Sequence, residues 1–260
     1  MGKSRVISII NQKGGVGKTT TAINLAGGLS LLDKKILLID LDPQGNLSTG
    51  MGLKRSEKIF DIYSVLLKNV AIERVIKKTH IKNVDLICSN QNLAAFDIEV
   101  AGQEKNELKL KEQISKINSL YDYILIDCSP SLNLTTINAL TASNNVIIPL
   151  QCEFFALEGI ANILRIIRMV KQNLNHDIYL KGILLTMYDG RNNLCKEVEY
   201  DVRNTFGKLV FKQTIPRNIK VAESSSHGSP VVFYDSHCSG AIAYMLLVRE
   251  IINGIENEKK

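Results

Sequence analysis

Short apolar runs alternate along this chain with longer stretches whose apolar residues recur every three to four positions. The runs Arg5–Asn11, Lys35–Asp40, Val84–Cys88, Tyr121–Asp127, Asn145–Leu150 and Ile178–Leu185 predict buried strands, and Leu209–Ile215 predicts a late short one. The stretches Thr20–Leu32, Glu104–Leu120, Thr135–Ala142, Glu158–Leu174, Lys196–Phe206 and Ala241–Ile255 predict helices, the first with Ala22, Leu25, Ala26 and Leu29 on one face. Strands that alternate with helices imply an α/β fold: a doubly wound, mostly parallel sheet with helices on both faces. No repeat, low-complexity tract or linker interrupts the order, so residues 1–260 are expected to form a single domain. Gly50–Lys58 is the most loop-like stretch.

Composition narrows the class. At 45% apolar over 260 residues, the chain can bury a full core without covalent staples. The five cysteines are scattered and form no C-x-x-C pair, which predicts reduced thiols and a cytoplasmic protein. No apolar run reaches the roughly 20 residues of a membrane span, and the N-terminus has no signal-peptide pattern. The net charge is +6, and Lys181–Lys220 holds eight basic residues against four acids. Such an excess hints at a polyanionic partner, although lysines on a solvated face are common.

The chemistry concentrates at Lys13-Gly14-Gly15-Val16-Gly17-Lys18-Thr19-Thr20, between the first strand and the first helix. Gln12 stands where the standard phosphate-loop pattern has its first glycine, so this is a variant of that loop. Its glycines let successive N–H groups face phosphate oxygens, and the helix that follows adds its N-terminal dipole. Lys18 is placed to reach the β- and γ-phosphates, and the Thr19 hydroxyl to ligate Mg²⁺. Lys13 has no counterpart in a standard loop. It is either an exposed turn residue or a second cation aimed at a phosphate. Ligands of open parallel sheets lie beyond the carboxyl ends of the strands. Two acidic loops are expected there, Asp40-Leu41-Asp42-Pro43 and Asp127-Cys128-Ser129-Pro130. Asp127, after four apolar-rich positions, reads as the Mg²⁺-holding aspartate of a Walker B strand, and Asp42 is free to orient an attacking water.

With these motifs in place, the chain resembles the ParA/Soj partition ATPases, in particular the chromosomal Soj-like branch. The resemblance lies in Asn11–Thr21 (NQKGGVGKTTT), Asp40–Gly45 (DLDPQG), Tyr123–Pro130 (YILIDCSP), Gln151–Gly159 (QCEFFALEG), Leu185–Arg191 (LTMYDGR) and Ile215–Asn218 (IPRN), and runs from about Ser4 to Ile252. It implies an ATPase that uses ATP and Mg²⁺ and forms a homodimer on binding ATP, with Lys13 crossing to the partner's phosphates. It further implies nonspecific double-stranded DNA binding, stimulation by a ParB-type centromere-binding protein, segregation of a chromosome or large plasmid, and association with the nucleoid. The metal is expected at Thr19, Asp40 and Asp127; by position, the resemblance assigns Met187, Pro216, Arg217 and Asn218 to the border of the adenine, and Arg191 and Lys220 to the DNA face. The family carries arginine where this chain has Lys220, and a proline within what reads here as the loop Glu223-Ser224-Ser225-Ser226.

Three rivals share the phosphate loop. A MinD-like positioning ATPase needs a basic amphipathic C-terminal helix. From Ser239 onward three basic residues balance three acids, and Tyr244, Val248, Ile251 and Ile252 read as a helix packed on the sheet, so no stable membrane association is expected. An iron–sulfur redox protein needs grouped cysteines, and Cys128 and Cys152 show no cluster spacing. A biosynthetic ligase needs an acceptor-binding insertion, and none is visible. His80, His176, His227 and His237 match no metal pattern.

Overall fold

The computed structural model describes residues 4–53, 60–153 and 155–257. Its elements are β1 (Arg5–Ile9), α1 (Lys18–Ser30), β2 (Ile36–Leu41), α2 (Asn46–Gly50), α3 (Ile62–Leu67), β3 (Lys77–Lys78), β4 (Val84–Ile87), α4 (Phe96–Glu99), α5 (Lys109–Ile117), β5 (Tyr123–Cys128), α6 (Leu134–Ala142), β6 (Asn145–Gln151), α7 (Ala156–Asn173), β7 (Tyr179–Thr186), α8 (Asn193–Phe206), α9 (Ile219–Ser226), α10 (Val231–Tyr234) and α11 (Ser239–Asn257). The strands form one seven-stranded sheet in the order β3-β4-β2-β5-β1-β6-β7. Every pairing is parallel except that of β3 with β4. The central strands are apolar at nearly every position because helices cover both faces. One apolar layer holds Val6, Leu37, Ile124 and Ile148 with α5, α6 and α7 residues. The other holds Ile7, Leu38, Leu125 and Ile147 with residues of α1 and α11.

The α1–α11 contact depends on one small residue. A Cβ at Gly28 would come within 2.8 Å of Val248, so the two helices can approach this closely only with glycine there. The apolar side of α11 (Tyr244, Leu247, Val248, Ile251) is buried in the layer it shares with α1. No helix among the described residues is long and apolar enough to cross a membrane.

Three sequence expectations need correction. Leu209–Ile215 is not a strand. It begins in a 3-10 turn (Gly207–Leu209), and its backbone meets β7 only at its two ends among the described residues, where Val210 bridges Ile183 and the Ile215 N–H donates to the Leu185 carbonyl at 2.8 Å. The backbone N–H groups of Lys212 and Gln213, which a strand would pair with its neighbour, donate instead to the Glu250 carboxylate at 2.8 and 3.1 Å. Glu104–Leu120 is helical only over Lys109–Ile117, because Lys105 takes a left-handed backbone (φ 55°) that no right-handed helix contains. The segment read as the loop Glu223–Ser226 is the second half of α9. The hydroxyls of Ser224 and Ser226 donate back to the carbonyls of Val221 and Glu223, three residues earlier, which lets serines sit in a helix. Of the expected loop Gly50–Lys58, Gly50 closes α2, Met51 to Leu53 form a turn, and Lys54 to Lys58 lie outside the described residues.

Candidate nucleotide site

The phosphate loop leaves β1 at the middle of the sheet. Asn11 anchors it: its side-chain amide donates to the Pro149 carbonyl (2.7 Å) and its carbonyl oxygen accepts the Lys13 N–H (3.0 Å). Gly15 and Gly17 take left-handed backbone at φ 75° and 87°, and Gly17 caps α1 in that conformation. On the far side, the Thr186 hydroxyl at the end of β7 donates to the Val16 carbonyl at 2.8 Å. The first N–H groups of α1 therefore face the concave side of a loop braced by β6 and β7.

Lys18 opens α1 and is only 7% exposed. Its ammonium donates to the Lys13 carbonyl at 3.0 Å, so the loop's own backbone already aims it. Burial lowers its pKa, and Asp127, Cys128 and Asp42 partly oppose that. A buried cation whose charge is disfavoured by desolvation is suited to receive a phosphate. Lys13 behaves differently. Its half-exposed side chain forms an ion pair with Glu153, just beyond β6.

The acids converge because β2 and β5 are neighbours. Asp40 and Asp127, 87 residues apart, are register partners. Asp40 is wholly buried and accepts from Asp42 N–H (3.1 Å), Ser48 N–H (3.2 Å) and the Ser48 hydroxyl (3.1 Å). Burial pushes its carboxyl up to about 7, against those hydrogen bonds. Asp127 is also fully buried, and neither of its oxygens has a hydrogen-bond partner. Its pKa is raised well above the carboxylate range, by burial first and then by Asp40, while Thr19 and Lys18 pull it back. The Thr19 hydroxyl lies near enough to act on Asp127 without completing a well-formed hydrogen bond. Asp42 is nearly buried, and its carboxylate accepts the Gln44 N–H at 2.9 Å, which shapes the turn after β2.

Two orphaned carboxylate oxygens beside a threonine hydroxyl fit a hard divalent cation. No group of three His, Cys, Asp or Glu among the described residues could enclose a metal alone. Mg²⁺ needs few protein ligands, because it keeps waters and shares phosphate oxygens. Thr19 and Asp127 would hold it, with Asp40 behind them. Bound there, it would neutralise phosphate charge and polarise the γ-phosphoryl group. Cys128 is buried beside this site, and its thiol is pushed well up by burial, the setting of an inert small apolar residue.

Asp40 gives the site a pH signature. Its folded pKa lies above its unfolded value, so the stability it contributes is complete below about pH 4 and lost as pH rises through about 7. The nucleotide-free protein should melt at a lower temperature at pH 7 than at pH 5, with a slope from this residue of up to about 1.4 kcal/mol per pH unit between about pH 4 and 7 that fades above pH 7. Asp40→Asn should flatten that slope. An equal slope in both proteins, by calorimetry, would remove Asp40 as its source.

The positions expected around the adenine also come together. Met187, directly after β7, has a left-handed backbone at φ 50°. The next residue, Tyr188, bridges to Pro216, and Arg217 N–H donates to the Tyr188 carbonyl at 3.1 Å. Asn218 caps α9 by accepting the Lys220 N–H (2.8 Å), and its amide donates to the Ser239 hydroxyl (2.8 Å). The same bridge brings the turn that holds Arg191 towards the start of α9, which holds Lys220. The basic segment does not form one free face, however. Arg203 turns inward, donating to Glu199 (2.8 Å) and to the Phe211 and Lys212 carbonyls (3.1 and 3.3 Å). Two partners escaped the sequence reading. Glu153 lies 140 residues from Lys13 with no periodicity to link them. Ser48 sits eight residues past Asp40, in a helix too short to leave a pattern.

A parallel sheet with this loop, two convergent aspartates and a second lysine defines a P-loop ATPase of the kind that carries a signature lysine. Known proteins narrow the class. A family model for an AAA domain matches residues 4–180. The sporulation initiation inhibitor protein Soj of Bacillus subtilis (strain 168) is 44% identical over 251 residues, covering 96% of this chain and 98% of that protein. The chromosome-partitioning ATPase Soj of Treponema pallidum (strain Nichols) is 45% identical over 252 residues, covering 97% and 98%. The solved structure of cobyrinic acid a,c-diamide synthase from Mycobacterium smegmatis with bound ATP analogue and magnesium aligns at a TM-score of 0.86 with 33% identity, covering 97% and 96%. The chain belongs to the ParA/Soj family of partition ATPases. It is an ATPase, and its cofactors are ATP and Mg²⁺.

Proposed function

We propose that this ATPase is a DNA-partitioning switch, acting as one domain and associated with the nucleoid. The ATP-bound form is a homodimer that binds double-stranded DNA without sequence preference. Hydrolysis, stimulated by a ParB-type centromere-binding protein, returns it to monomers and drives segregation of a chromosome or plasmid. The observation that carries the reading is the division of labour between the two lysines. Lys18 is buried at the start of α1, while the Lys13 side chain is half exposed and pairs with Glu153. A loop cation that does not serve its own phosphates is free to serve those of a second subunit.

Gly14 offers the direct test. A Cβ there would meet nothing within 4 Å in the monomer. Gly14→Val should therefore fold and bind ATP within about threefold of wild type, yet stay monomeric in sedimentation with ATP and Mg²⁺, because the side chain blocks a facing backbone. Lys13→Ala should likewise bind ATP but hydrolyse it at least about 100-fold more slowly, the scale of a charge lost from a phosphoryl-transfer site. A Gly14→Val dimer as stable as wild type would sink the facing-subunit arrangement. ATP-dependent binding to anionic vesicles in place of DNA would replace the DNA reading with a MinD-like one.

A further inference from the structure

We infer that Asp189 and Glu223 are built-in competitors for DNA phosphate, each holding one cation of the proposed DNA face until a phosphate takes its place. The inference rests on the DNA-binding reading above and adds to it what sets the strength of the grip. Both cations of that face are already occupied. Arg191, 92% exposed, spends two arms of its guanidinium on Asp189, Nε to Oδ1 and Nη2 to Oδ2, each at 2.9 Å. Its own N–H also donates to Oδ1 at 3.0 Å, which fixes the carboxylate beneath the fork. Lys220 donates to Glu223 Oε2 at 2.9 Å, one turn along α9. That oxygen also accepts the Tyr234 hydroxyl at 3.2 Å, and the Tyr234 ring lies 5.8 Å from the ammonium. His227 stacks on the same ring with centroids 5.0 Å apart. Each acid is therefore anchored by a second donor and cannot simply swing away when DNA arrives.

Exposed pairs like these contribute little to folding. Their larger consequence is for binding. A cation that exchanges a carboxylate for a phosphate leaves an unpaired carboxylate, which recruits a counterion from solution. Each such exchange should cancel about one ion of the counterion release that drives DNA binding. The face would then bind more weakly, and with a shallower salt dependence, than its cations alone would give. For a protein that must let go of DNA after each ATP cycle, this keeps release fast.

The test is DNA affinity across a salt series, for dimers held by Mg²⁺ and a nonhydrolysable ATP analogue. Asp189→Asn and Glu223→Gln should each bind about five- to tenfold tighter at 0.1 M salt, and steepen the log–log salt slope by about 0.9. The double variant should gain roughly the product of the two. Glu112→Gln, which removes an exposed acid from α5, should change affinity less than about twofold, separating local competition from net charge. Arg191→Glu should abolish binding. If that reversal does abolish it while both neutralised variants match wild type in affinity and slope, the competitor role is wrong and the DNA face stands. An equal gain from Glu112→Gln overturns the inference in favour of net charge. If Arg191→Glu binds DNA normally, the DNA face itself is wrong.

Discussion

Lys18→Ala should weaken ATP binding by roughly 30- to 5,000-fold while the protein keeps its fold. The residue is 7% exposed, its ammonium is already aimed by the Lys13 carbonyl, and Asp127 and Asp42 act on it electrostatically. In the wild type it offsets those acids. Without it, a triphosphate would enter a cradle whose nearest charges are negative. Truncating one partner of a buried, hydrogen-bonded charge pair costs about 2–5 kcal/mol, which is roughly 30- to 5,000-fold in affinity. Titration with a fluorescent ATP analogue measures the loss. A parallel melting curve shows that the fold survives, since alanine is a good residue at the start of a helix. Affinity within threefold of wild type would mean that the loop's backbone, not Lys18, holds the phosphates.

What could be read from the sequence divides along physical lines. The phosphate loop was legible because its chemistry is contiguous: glycines, lysine and threonine act within a few residues and sit between an apolar run and a helical one. The parallel strands were legible for a related reason, since burial on both faces leaves unbroken apolar runs. Contacts set by strand order were not. Nothing local says that β2 and β5 are neighbours, so the pairing of Asp40 with Asp127, through which Asp40 adds to the raised pKa of Asp127, appears only in the register. The same holds for Lys13 with Glu153. Strand β3 escaped notice because two lysines on an antiparallel edge carry no apolar signal. Glu223 was within reach, three residues from Lys220, a helical neighbour if the segment is a helix. Three consecutive serines argued for a loop, and their back-bonding to the helix is what reverses that argument.

The second large effect is expected at Asp42. Asp42→Ala should cut ATP hydrolysis about 100- to 1,000-fold and leave a dimer that persists as long as ATP is present. The reason lies in how differently the two β2 carboxylates are engaged. Asp40 is sealed and takes three hydrogen bonds from Asp42 and Ser48, so little of it is left to handle a water. Asp42 lies beyond the strand end, close enough to Lys18 and Asp127 to act on both electrostatically, and its carboxylate accepts the Gln44 backbone N–H. It retains lone pairs to orient a water for in-line attack on the γ-phosphate, a role worth several orders of magnitude in phosphoryl transfer. Alanine also removes the acceptor for Gln44, which could disturb the turn. Asp42→Asn keeps an acceptor there and removes only the charge, so it should fall nearly as far. Phosphate release gives the rate, and sedimentation with ATP gives the dimer lifetime. Wild-type turnover in Asp42→Ala would move the water-orienting role to Asp40, despite its burial. Slow turnover in Asp42→Ala with normal turnover in Asp42→Asn would assign Asp42 to holding the turn.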